Sequence, residues 1–119
     1  MSAGASSPPM PAAPALPIIY EATRATDGSD AVIRGAELTR DQAIARRKAG
    51  GDIVVCGSDT PRNDRLSHDI EEAAAEGKPI IYHGPHGGPL SLPHWQQKVP
   101  PPEGHRFHET HVRKAITTP

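Results

Sequence analysis

Five prolines among the first 17 residues (Pro8, Pro9, Pro11, Pro14, Pro17) and a second proline- and glycine-rich run from Gly84 to Gly104 limit what this chain can fold into. Proline lacks a backbone donor and fixes φ, while glycine gives up the most freedom on ordering, so neither stretch favours a helix or a central strand. Together the two residue types fill 25 of 119 positions, 14 Pro and 11 Gly. Residues 1–17 are therefore read as a disordered Pro/Ala-rich tail or linker in extended, polyproline-like conformations. One folded domain is expected over residues 18–116.

Only 35% of residues are hydrophobic and 3% aromatic, so the core must be small and aliphatic. A two-domain enzyme with a cofactor fold of its own is excluded on length. The single cysteine rules out an internal disulfide and a cysteine metal cluster. No apolar run approaches the ~18 residues that cross a bilayer, and no basic segment followed by an apolar stretch opens the chain. Neither membrane insertion nor a cleavable secretion signal is expected. A net charge of −1 argues against coating nucleic acid through an extended basic face. It leaves room for an enzyme that grips one or two phosphates.

Regular structure follows from local signals. Ile18-Ile19-Tyr20 and Ala31-Val32-Ile33 flank a turn-like Asp27-Gly28-Ser29-Asp30 and could pair as a hairpin. Thr39-Arg40-Asp41-Gln42 fits a capping box and predicts a helix over about 40–49, ending at Gly50-Gly51. Its basic last turn, Arg46-Arg47-Lys48, suits the helix dipole. Asp52-Ile53-Val54-Val55-Cys56 has three β-branched residues in a row between glycines, which predicts a central strand covered on both faces, with Cys56 filling core space. Thr60 as cap and Pro61 at the first helical position open a second helix over about 61–76. Leu66, Ile70, Ala73 and Ala74 form its buried stripe, and His68 lies off it as a solvated residue. Lys78 to Tyr82 gives a third strand signal, with a C-terminal strand near 105–110. The fold class expected is α+β, with two helices packed on a small, mainly antiparallel sheet.

Six of the seven histidines (His83, His86, His94, His105, His108, His111) fall within residues 83–111. Imidazole exchanges protons near neutrality, so two of them could remove a 2′-hydroxyl proton and protonate the leaving oxygen of a phosphodiester. A nearby cation would stabilise the charge developing on phosphorus. Arg106, Arg113 and Lys114 are candidates. That chemistry calls for neither metal nor cofactor. The competing use is a metal-dependent nuclease with ligands drawn from His83, His86 and His94, or from His105, His108, His111 and Glu109. Against it, Gly84-Pro85 prevents a helix that would stack His83 and His86, and no His-Glu-x-x-His occurs. Strand alternation puts His105, Phe107 and Glu109 on one face and Arg106 and His108 on the other. A third reading is a non-catalytic binding module whose Val99–Pro102 segment docks in a partner groove.

The elements Gly51 to Gly57, Arg62-Asn63-Asp64-Arg65-Leu66, His83-Gly84-Pro85-His86, Leu92-Pro93-His94-Trp95-Gln96 and Gly104 to Glu109 with Arg113-Lys114-Ala115 resemble the C-terminal toxin domains of bacterial polymorphic toxins of the RHS type. The resemblance covers roughly residues 39–115. It implies a monomeric ribonuclease toxin, secreted for interbacterial competition, acting in the target-cell cytoplasm and neutralised in the producer by a cognate immunity protein. Catalytic candidates are then His86, His94, His105 and Glu109. Arg106, Arg113, Lys114 and Trp95 are the candidates for binding RNA. His108 stands where that family's pattern suggests a tyrosine, which leaves open whether it joins the site.

Overall fold

A computed structural model describes residues 16–85, 90–98, 104–110 and 113–117. Residues 1–15 of the tail expected over 1–17, His86 and the Val99–Pro102 segment lie outside the described residues. Folded structure begins where the apolar sequence does. β1 (Ile18–Arg24) and β2 (Val32–Leu38) form an antiparallel hairpin, longer than the apolar runs alone suggest. α1 (Arg40–Lys48) starts in the expected capping box: the Thr39 hydroxyl accepts from Gln42 N, and the Gln42 side chain accepts from Thr39 N.

β3 (Asp52–Cys56) follows, and then α2 (Thr60–Ala75). The cap of α2 is Asp59 rather than Thr60. Its carboxylate accepts from Arg62 N at 3.2 Å, and Thr60 already occupies the first turn. An aspartate one residue earlier offers the same acceptor with a charge that suits a helix N-terminus. β4 (Ile80–His83), β5 (His94–Gln97) and β6 (Arg106–His108) complete a single sheet in the order β2-β1-β3-β6-β5-β4. Every pairing is antiparallel except β3 with β6. Two helices and a six-stranded, mainly antiparallel sheet are thus the architecture. No helix among the described residues is long and apolar enough to cross a membrane.

β3 is central and covered on both faces. Ile53 and Val55 join Ile19, Ala43 and Ile70 beneath the helices. Val54 and Cys56 join Ala22, Val32, Leu92 and Phe107 on the opposite face. There the covering comes from irregular chain, through Leu92 and Ala115. Burial, reinforced by the Glu109 charge, pushes the Cys56 thiol up to about 12, so it stays protonated and inert at neutral pH.

The apolar stripe expected on α2 is only half of its inner face. Ile70 and Ala74 are buried, but so are Asn63, Ser67 and Glu71, one helical turn apart from each other. These three polar residues fasten α2 to β6 and the residue after it. Asn63 Nδ2 donates to the Glu109 carbonyl (3.2 Å), Ser67 Oγ meets His108 Nδ1 (3.1 Å), and Glu71 pairs with Arg106. Glu71 also accepts from Arg47 of α1 at 3.2 Å, with all three of Arg47, Glu71 and Arg106 fully buried. Arg47 is therefore a core ion-pair residue, beyond the dipole role its position in the last turn suggests.

Gly104, just before β6, has a φ of +99°, a left-handed conformation that suits glycine. A Cβ there would come within 2.6 Å of Arg47 Nη1, 2.7 Å of the Gly50 carbonyl and 2.9 Å of Asp52 Oδ1. The Gly50 carbonyl is backbone and cannot swing aside. Gly104→Ala is expected to cost about 2–4 kcal/mol from strain and overpacking together. A denaturant midpoint equal to that of the wild type would refute this.

Candidate active site

Strand alternation places three histidines in a row on the sheet face opposite the helices. His83 of β4 lies opposite His94 of β5, and His94 lies opposite Phe107 of β6. The ring centroids are 5.3 Å apart for His83 and His94 and 4.6 Å for His94 and His105, both edge to face. Phe107 packs against both His94 and His105, at 5.3 and 5.4 Å. It serves as the hydrophobic floor that keeps the two imidazoles together.

Arg24 supplies a cation. Its Nη2 lies 3.0 and 3.2 Å from the two ring nitrogens of His105, so the guanidinium sits alongside the ring rather than in line with one lone pair. The same guanidinium lies 5.8 Å from the Phe107 ring centre, within cation–π range. β3 begins at Asp52, which pairs with Ala22, so Arg24 lies past the end of β3. The side chain reaches His105 across that gap.

Asp52 holds His105 from the other side. Its Oδ1 accepts from His105 N at 2.7 Å and lies 3.5 Å from Nδ1. Burial pushes the Asp52 carboxyl up, but the His105 ring and backbone N–H, with the Arg47 charge, outweigh it and hold the group below the usual carboxylate range. An ionised carboxylate beside Nδ1 orients the ring and favours the tautomer that presents Nε2 outward. His105 is partly exposed, with 23% of its side chain accessible. His94 is 1% exposed, and its Nε2 meets Gln96 Oε1 at 3.1 Å. It borders a cavity of about 60 Å³ lined with Arg24, Asp30, Ser91, Leu92 and Phe107.

Among the other candidates from sequence, Arg106 and Trp95 sit on the helix face of the sheet, away from the histidine row. Arg106 is fully buried, and desolvation together with the like charge of Arg47 pushes its guanidinium down. Glu109 is also buried, its two carboxylate oxygens accepting from Gly57 N (3.3 Å) and Ala115 N (2.8 Å). It holds the chain that follows β6. Arg113 donates to the carbonyl (2.9 Å) and hydroxyl (3.1 Å) of Ser91, and so holds one wall of the cavity. Lys114 is exposed. Arg24 and Asp52 were missing from the expectation. Arg24 could have been found by extending β1 two residues past Ala22 on the same face.

His108 does not join the row. The Ser67 hydroxyl gives its proton to the Asp64 carbonyl (2.9 Å) and so accepts from His108 Nδ1–H, which leaves Nε2 facing Asp64 at 3.9 Å. A buried hydroxyl committed in this way is not a nucleophile. Burial lowers the His108 pKa, opposed by the Asp64 charge. Below the unfolded histidine value of about 6.5, the unfolded chain takes up a proton that native His108 resists. Stability from this group is complete above that pH and is lost as the pH falls through it toward the lower folded value. Urea unfolding at pH 7.5 and 5.5 should show a drop that His108→Gln reduces; an unchanged drop in the variant would exclude this origin.

Among the described residues, no three His, Cys, Asp or Glu side chains are placed to share a metal ion. Compared with protein families, curated sequences and solved structures, the chain matches none.

Proposed function

We propose that this chain is a ribonuclease toxin that cleaves RNA by histidine general acid/base chemistry without a metal. The observation that carries the reading is the meeting of His94 of β5 and His105, the residue just before β6, beside Arg24 of β1. Two proton-transfer groups and one cation are what transesterification at a phosphodiester requires. His105, oriented by Asp52, takes the proton of the 2′-hydroxyl as its oxygen attacks phosphorus. The bond from phosphorus to the 5′-oxygen breaks, and His94 gives that oxygen its proton. The products are a 2′,3′-cyclic phosphate and a free 5′-hydroxyl. Arg24 neutralises the charge that builds on the phosphoryl oxygens. His83 flanks His94 as a positioning group. The motif resemblance supplies the biological setting, a delivered toxin held in check by an immunity protein.

The decisive experiment is cleavage of single-stranded RNA by the purified chain in EDTA. Cleavage that leaves cyclic-phosphate ends supports the reading. A folded but inert protein, or one rescued only by added divalent ions, overturns it.

A further inference from the structure

A second group of side chains lies on the helix face of the same sheet edge, and the histidine row leaves it unused. β4 is the outermost strand, and its successive residues Tyr82 and His83 face opposite ways. His83 meets His94 on one face, while Tyr82 meets Trp95 on the other at 5.3 Å. Tyr82 is 48% exposed, although burying an aromatic ring of this size is ordinarily favourable. Trp95 is held rigidly: its Nε1 donates to Asp64 Oδ1 at 2.8 Å, and His68 packs edge to face at 4.7 Å. Beside it lies a cleft of about 410 Å³ lined by Pro61, Asp64, Arg65, His68, Asp69 and Trp95.

These groups select against a phosphate and in favour of a base. The two carboxylates repel an anion but accept from N–H donors, and a fixed indole next to an exposed phenol offers a stacking surface. Asp64 spends Oδ1 on the indole and keeps Oδ2 for a ligand; half of its side chain is exposed. Arg65 stands on the rim, where the phosphate attached to a bound base would pass.

We propose that a nucleobase of single-stranded RNA stacks in this cleft against Trp95 and Tyr82. Guanine is preferred, because its adjacent N1–H and 2-amino donors can both reach the two lone pairs of Asp64 Oδ2, the oxygen the indole leaves open. The sugar–phosphate backbone then passes around β4 to the histidine row. The ligand class rests on the nuclease reading above.

Trp95 is the only tryptophan of the chain, so fluorescence excited at the red edge, where tyrosine does not absorb, reports on this cleft alone. The test titrates the full chain with 2′-O-methyl hexanucleotides, which have no attacking hydroxyl, while the anisotropy of a labelled strand reads total binding. Quenching that saturates together with the anisotropy is expected, roughly tenfold tighter for a guanine-containing hexamer than for hexauridine. Tyr82→Ala should weaken binding roughly tenfold and Tyr82→Phe should restore it, with circular dichroism unchanged in both. Asp64→Asn should keep the quenching and lose the guanine preference. Binding without quenching, no binding at all, or a Tyr82→Ala variant that binds like wild type overturns the proposal. Cleavage of unmodified RNA, assayed alongside, separates the two claims. Quenching without cleavage keeps the subsite and removes the nuclease, and cleavage without quenching does the reverse.

Discussion

Glu71→Gln is expected to destabilise the fold by about 3–5 kcal/mol, enough to unfold a domain whose whole stability is of the order of 5–15 kcal/mol. Glu71 is the carboxylate shared by Arg47 and Arg106, and all three side chains are fully buried. Two guanidiniums placed there would repel each other, and taking each from water costs several kcal/mol that only a close anion offsets. Asp52, the other negative group acting on both, stands at the edge of this cluster and is already engaged by His105. Among the described residues, Nε and Nη1 of Arg106 have no hydrogen-bond partner, so the network is incomplete even with Glu71 present. A triple replacement of Arg47, Glu71 and Arg106 by Met, Leu and Leu should therefore be tolerated far better than the single Glu71→Gln. Equilibrium urea unfolding checks both. A single variant within 1 kcal/mol of wild type would mean that the charges are not isolated from solvent.

His105→Ala is expected to lower kcat/KM for RNA by roughly 10²–10⁴-fold while leaving the fold intact, because the ring is partly exposed and supports little of the core. His94 is buried and packs against Phe107, so His94→Gln tests its proton-transfer role with less of a cavity than alanine would leave. A base and an acid that act as a unit in one transition state are not additive, and the double variant should be little worse than either single one. The pH profile adds a readout that misfolding cannot imitate. Wild type should show a bell-shaped kcat/KM with one limb for the base and one for the acid, and each single variant should lose one limb. Variants that stay folded and keep both limbs at wild-type rate would remove the acid/base assignment.

The parts of this fold that were legible are those whose signals are local. The β-branched run of β3, the Thr39 to Gln42 capping box and the breaks at Gly50 and Gly77 all lie within a few residues of what they determine. β5 was not legible. His94-Trp95-Gln96-Gln97 has no alternating pattern and follows a proline, and it becomes a strand because β4 and β6 pair with it on either side. The polar stripe of α2 was hidden for a related reason. Glu71 reads as one more solvent-facing helix residue until Arg106 and Arg47 are placed around it. In the candidate site, residue type marked the histidine cluster, and the choice of His94 and His105 within it came from the motif resemblance. Arg24 is 81 positions from His105, and joining them takes the strand order, which no local pattern encodes. Assigning the phosphate-binding cation to Arg106 was reasonable from its position beside His105, but one residue along a strand is the opposite side of the sheet.

The order in which the chain is made runs against the order in which its sheet is laid out. Among the described strands β6 is the last to be synthesised, yet it fits between β3 and β5, near the middle of the sheet. Until residues 104–116 emerge, the hairpin of β4 and β5 touches α2 through Trp95 but has no strand joining it to the rest of the sheet, and His105 does not yet stand beside His94. A partly synthesised chain therefore holds no pairing of His94 with His105. On the nuclease reading proposed above, a nascent chain is harmless to the RNA around it until residues 104–116 have been made.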